Sequence, residues 1–182
     1  MNMDLERAKT GSEAGRRRAL TATERLWRQA IAWQIALAAY MQMISWLPLG
    51  RWNYQPCCPV AIDRAKRGAL GAVDALGLAA FLLIPLVFAL GRRKHRWLAW
   101  LSISAYGVWL ALQLGTWWPP YLFGASERWS RVYARAFADS TQWLPRWDNH
   151  LPPDAMHLVL QALLVGAMIS GWRYLSNNRP VA

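Results

Sequence analysis

Long apolar blocks alternate with short basic clusters along this 182-residue chain, and that segregation leaves few folds open. A helix needs about 20 consecutive apolar residues to cross the hydrocarbon of a bilayer. Four stretches meet the requirement, at about 29–49, 68–90, 97–118 and 155–172. The first and third carry no charge, the second is interrupted only by Asp74, and the fourth has His157 near its start. The blocks lack the two-residue alternation of a membrane barrel and are rich in Ala and Leu, which favour helix. The expected fold class is an all-α integral membrane protein with four transmembrane helices in a bundle. Pro85 predicts a kink in the second helix, which neighbouring helices can accommodate in a bilayer.

The basic residues set an orientation. Thirteen of the 21 Lys and Arg lie in the N-terminal tail, the second connection and the C-terminal tail, against eight in the first and third connections. Positively charged segments stay on the cytoplasmic side, so both termini are expected there, in a multi-pass protein of the cell (inner) membrane. The net charge of +11 does not read as nucleic-acid binding, because the cations sit at the ends of apolar blocks. Anionic lipid headgroups attract cations placed that way. Membrane lipids are therefore the expected partners, with another membrane protein as a further one, and no nucleic acid. Residues 1–25 read as a basic cytoplasmic tail without fixed structure or lying on the membrane surface. Residues 26–175 make the transmembrane domain, and 176–182 a second cytoplasmic tail. Ala36-Leu37-Ala38 loosely fits a signal cleavage site, but the apolar run continues past it, so the segment is read as a retained span.

The connection between the third and fourth spans is the longest. Within it, Trp129, Val132, Tyr133, Ala136, Phe137, Ser140, Trp143 and Leu144 follow helical spacing, and Arg128, Arg131, Arg135, Asp139 and Gln142 mark the opposite face. Ser126 reads as the N-cap and Pro145 as the stop. The prediction is an extracytoplasmic interfacial amphipathic helix over about 126–144, either a strut or a lid over a pocket. Trp117-Trp118-Pro119-Pro120-Tyr121 suits the aromatic belt at the membrane boundary.

Polar side chains are expensive in hydrocarbon and turn inward. On the expected topology, Gln42, Asp74, Gln113, His157 and Gln161 share the outer half of the membrane, whereas Gln34 does not. Asp154, His157 and Gln161 fall at i, i+3 and i+7 on one helical face. These six outer residues, with Asp154 among them, are the candidate ligand-binding set. Asp74 is expected to pair with His157, because a carboxylate at that depth needs a partner. Asp74, His157, Cys57 and Cys58 are the candidates for chemistry. His150, Asp154 and His157 are weak metal candidates whose spacing matches no metal motif.

Cys57 and Cys58 are adjacent and flanked by Pro56 and Pro59, just past the first span. A bridge between neighbouring residues would be strained, since their Cα atoms lie about 3.8 Å apart, below the usual roughly 4.4–6.8 Å. Four spans, cytoplasmic termini, thiols after the first span and a long third connection give the chain a layout similar to the bacterial membrane disulfide-forming quinone reductases. That family carries Cys-x-x-Cys at this place and a second cysteine pair in the long connection. Here there is Cys57-Cys58 and no further cysteine, so the family's electron relay cannot operate unaided.

No nucleophile motif, glycine-rich phosphate loop or strong metal signature appears. The expected function is a small polytopic protein with a polar pocket in the outer half of the bundle, serving as a binding or transport module or as an accessory subunit. A quinone or a lipid is the kind of molecule such a pocket would hold. The alternative is a membrane-embedded oxidoreductase acting through the extracytoplasmic thiols.

Overall fold

The computed structural model describes residues 2–46, 49–52, 79, 82–90, 96–137 and 139–177. Among them every regular element is helical, apart from an isolated bridge between Trp147 and His150. Helix α1 runs Asn2–Trp46 and is followed by a 3-10 turn, Gly50–Trp52. Helix α2 covers 82–90, α3 Arg96–Leu122, α4 Glu127–Ala136 and α5 Ala155–Asn177. Two of these, Trp97–Leu122 and Ala155–Asn177, are long and apolar enough to cross a membrane. The first half of the second expected span, with Asp74, lies outside the described residues, as do Cys57 and Cys58. Pro85 sits inside α2, and residue 81, one turn before it, is also outside them.

The basic tail, expected either without fixed structure or lying on the membrane surface, is helical from Asn2. Leu, Glu, Ala, Arg and Lys dominate it, and all are good helix formers. Arg28 Nε lies 3.1 Å from Glu24 Oε1 one turn back, a spacing that supports helix. At 45 residues, α1 is roughly 68 Å long, more than twice the roughly 30 Å of hydrocarbon.

Helix α5 packs against both α1 and α3. The contacts are antiparallel. Trp33 of α1 lies over Gly166, and Tyr40 Oη donates to Met156 O at 2.9 Å. From α3, Ile103 packs on Gly171, Met168 reaches Gly107, and Trp117 meets His157. Glycine permits these approaches. A Cβ at Gly166 would sit 2.5 Å from the Trp33 ring, and one at Gly171 would sit 2.9 Å from Ile103 Cδ1. One buried cluster joins Leu37, Tyr106, Leu160 and Leu164, and a second joins Ala30, Phe88, Ile103 and Tyr174. The outward faces stay apolar: Leu83, Leu86, Leu101, Val108, Leu112 and Ile169 are all exposed.

The long connection folds over the end where α5 begins. Ser126 caps α4, its Oγ accepting from Trp129 N at 3.3 Å. The helix then stops at Ala136, not near Leu144 as its spacing predicts. Past that point the polar residues find other partners. Ser140 Oγ donates to Phe137 O, and Thr141 N donates to Arg51 O at 2.8 Å. Thr141 O accepts from Ala155 N. Such bonds compete with helix, and here they tie the 3-10 turn at Arg51 to the start of α5. Part of the apolar face of α4 packs on protein, with Tyr133 buried against Trp117 and Leu151, while Val132 stays exposed. The belt residues likewise join α3, which continues through Pro119 and Pro120 to Leu122.

Candidate functional site

Asp154 precedes the first residue of α5 and caps it. Its Oδ1 accepts from His157 N at 2.9 Å, the bond expected of an N-cap carboxylate to the third helical residue. The negative charge also complements the positive end of the helix. The same oxygen lies 2.6 Å from His157 Nδ1. Asp154 is 2% exposed, and the His157 side chain 13%. A carboxylate can only accept from imidazole, so Nδ1 carries the proton. In the neutral ring Nε2 is then the bare nitrogen, able to accept a proton, a hydrogen bond or a metal.

Aromatic rings enclose the imidazole. Trp117 lies over it with ring centres 4.0 Å apart, and Phe137 meets it edge-on at 5.8 Å. Trp117 in turn contacts Trp129 and Tyr133. Trp129 Nε1 is buried without a partner. Tyr133 Oη donates to Pro152 O at 2.9 Å. Burial first, then the nearby Asp154 charge, pushes the Tyr133 hydroxyl up to about 12, with Arg146 acting in the opposite sense. Arg146 itself stands over the Tyr133 ring, 5.7 Å from its centre.

One turn further into α5, Gln161 is 7% exposed and its Oε1 accepts from Trp118 Nε1 at 3.0 Å. The Gln161 amide nitrogen is buried with no partner, and so is Gln113 Oε1 on α3. Gln34 lies deeper, with Tyr106 Oη 3.4 Å from its Oε1. The structure thus brings Asp154, His157 and Gln161 to one end, with Gln42 two residues beyond Tyr40 near the same end. His157 takes Asp154 as its partner; the expected partner Asp74 lies outside the described residues. His150 faces elsewhere, its Nδ1 2.8 Å from Tyr121 O. Among the described residues no three His, Cys, Asp or Glu side chains gather as a metal set.

The aromatic shell escaped the sequence reading. Trp117 reads as a lipid-facing belt residue but is only 3% exposed. The signal available was Asp154-Ala155-Met156-His157 directly after Pro152-Pro153, which spells a capped helix start with an imidazole at its third position. No protein-family model, curated protein or solved structure matches this chain.

Proposed function

We propose that this chain is a four-span protein of the cell membrane, with both termini cytoplasmic and an extracytoplasmic end that binds a small polar or amphipathic molecule. The observation that carries the reading is the Asp154–His157 pair beneath its aromatic roof. An N-cap needs only a carboxylate oxygen and a backbone N–H. Placing an imidazole on the same oxygen, and packing it at a tilt against Trp117, adds nothing that the cap requires. The arrangement instead holds one tautomer and one ring orientation, as a second carboxylate does for a working histidine. Helix α4 and the 139–154 loop form the roof, whose tether to Arg51 closes it over the start of α5.

The test separates cap from site. Asn is as good an N-cap as Asp, so Asp154→Asn keeps the bond to His157 N and removes the charge. The protein is purified in phosphatidylcholine nanodiscs, and bound small molecules are extracted and identified by mass spectrometry. Asp154→Asn and His157→Gln are expected to keep the thermal midpoint close to wild type and to lose the co-purified molecule. If both variants retain every bound molecule found with wild type, the pair is only a helix cap.

A further inference from the structure

Resting on that binding site, the orphaned amides of Gln113 and Gln161 describe its ligand, while a third, that of Gln34, lies deeper. Trp118 Nε1–H can only donate, so the Gln161 oxygen faces the indole and the amide NH2 points away from it. That NH2 is a buried donor without an acceptor, and Gln113 Oε1 is a buried acceptor without a donor. Contacts along α3 and α5 place them at one level. Trp117 meets His157, Trp118 meets Gln161, Met168 reaches Gly107 and Ile103 packs on Gly171. In this antiparallel register Gln113 stands opposite residues 161 and 162, one turn below the imidazole.

A buried polar group without a partner is costly, and a water or a ligand group that pairs with it removes the cost. The occupant here must accept from Gln161 and donate to Gln113. A ketone or quinone carbonyl accepts but cannot donate, so it would leave Gln113 orphaned. A hydroxyl does both. We infer that the ligand of this site is a hydroxyl-bearing amphipath whose O–H donates to Gln113 Oε1 and whose oxygen accepts from the Gln161 amide. Its hydroxyl lies beneath His157 and beside the Trp117 and Trp118 rings.

Three probes of matched chain separate the requirements: n-decanol, decyl methyl ether, which accepts only, and n-decane. The full-length protein in phosphatidylcholine nanodiscs, whose headgroup has no hydroxyl, is photolabelled with a diazirine analogue of decanol, and labelled peptides are mapped. The expected result is saturable labelling of α3 and α5 near Gln113 and Gln161. Decanol should compete at least tenfold more effectively than the ether, and decane not at all. Gln161→Met, close in size, should lower labelling at least tenfold. The comparison of probes on wild type needs no variant, so it stands even if that one misfolds. Equal competition by alcohol and ether, with labelling still lost in His157→Gln, overturns the hydroxyl assignment and leaves the outer site in place. No saturable labelling, together with insensitivity to His157→Gln, overturns both. Labelling only elsewhere, while the Gln161 side-chain amide exchanges with water unaffected by decanol, means that water alone fills the gap and also overturns the inference.

Discussion

Asp154, His157 and Gln161 could be picked out of the sequence because a polar residue in an apolar helix is conspicuous and helical spacing aligns it with others. Their partners could not. The ring over His157 comes from Trp117, 40 positions earlier, and nothing in the local pattern of the third span distinguishes a tryptophan facing lipid from one facing an imidazole. Asp154 was visible as an acid near His157, yet its contact is local, one turn apart. The more distant Asp74 invited pairing because charge in hydrocarbon demands it. At this scale the Tyr133 hydroxyl yields a pH prediction. Its native ionisation is pushed up to about 12, above the ordinary value of about 10. Burial of the neutral phenol therefore stabilises the roof fully below pH 10, and the contribution fades as pH rises through about 12. Amide exchange of α4 should accelerate across that window in the wild type. In Tyr133→Phe the alkaline step should vanish, while exchange at neutral pH rises modestly for loss of the bond to Pro152 O, worth about 1 kcal/mol.

Helices α3 and α5 were legible as elements because their length and apolar content meet the membrane requirement, although each runs past the expected end, to Leu122 and Asn177. Helix α4 was legible at its start and not at its end. Ser126 is a sequence-readable cap, whereas Ala136 is a stop only because Ser140 and Thr141 bond elsewhere, and Arg51, the acceptor for Thr141, is 90 positions away. Replacing Ser126 with Ala should weaken α4 by about 1 kcal/mol, seen as faster exchange over residues 127–136 with little change in α5. Helix packing provides a sharper case. Gly166→Ala would drive a methyl into the rigid Trp33 ring. Such overpacking costs about 1–3 kcal/mol and should lower the thermal midpoint. A smaller residue at position 33 should recover the loss. Trp33→Leu with Gly166→Ala should therefore be more stable than the sum of the single effects predicts, and additivity would show that the two do not touch.

Among the described residues, Asp154, His157 and Gln161 gather at the end where α1 and α3 finish and α5 starts, while the flanks of the helices stay apolar. A membrane would reconcile these features, because lipid would cover exposed Leu83, Val108 and Ile169 without a protein partner. Helix α1 complicates a simple picture. Its apolar part carries Gln29, Gln34 and Gln42, and its first half is polar and basic, so a large part of the helix projects beyond any bilayer that the second half enters. That projection favours the cytoplasm as the location of the N-terminus, since six of the first 25 residues are Lys or Arg and translocating such a segment opposes the positive-inside bias. On the proposed orientation the site end faces outward. Single cysteines introduced at Thr10, Phe123 and Asn178, in a background with Cys57 and Cys58 replaced by Ser, decide the matter with a membrane-impermeant maleimide on intact cells. Only the Phe123 position, 83% exposed beside the roof, should label before lysis, and all three should label after it. Labelling at Thr10 or Asn178 in intact cells would turn the molecule over and place the His157 end in the cytoplasm. The binding chemistry would survive that inversion, but the ligand would then have to arrive from inside the cell.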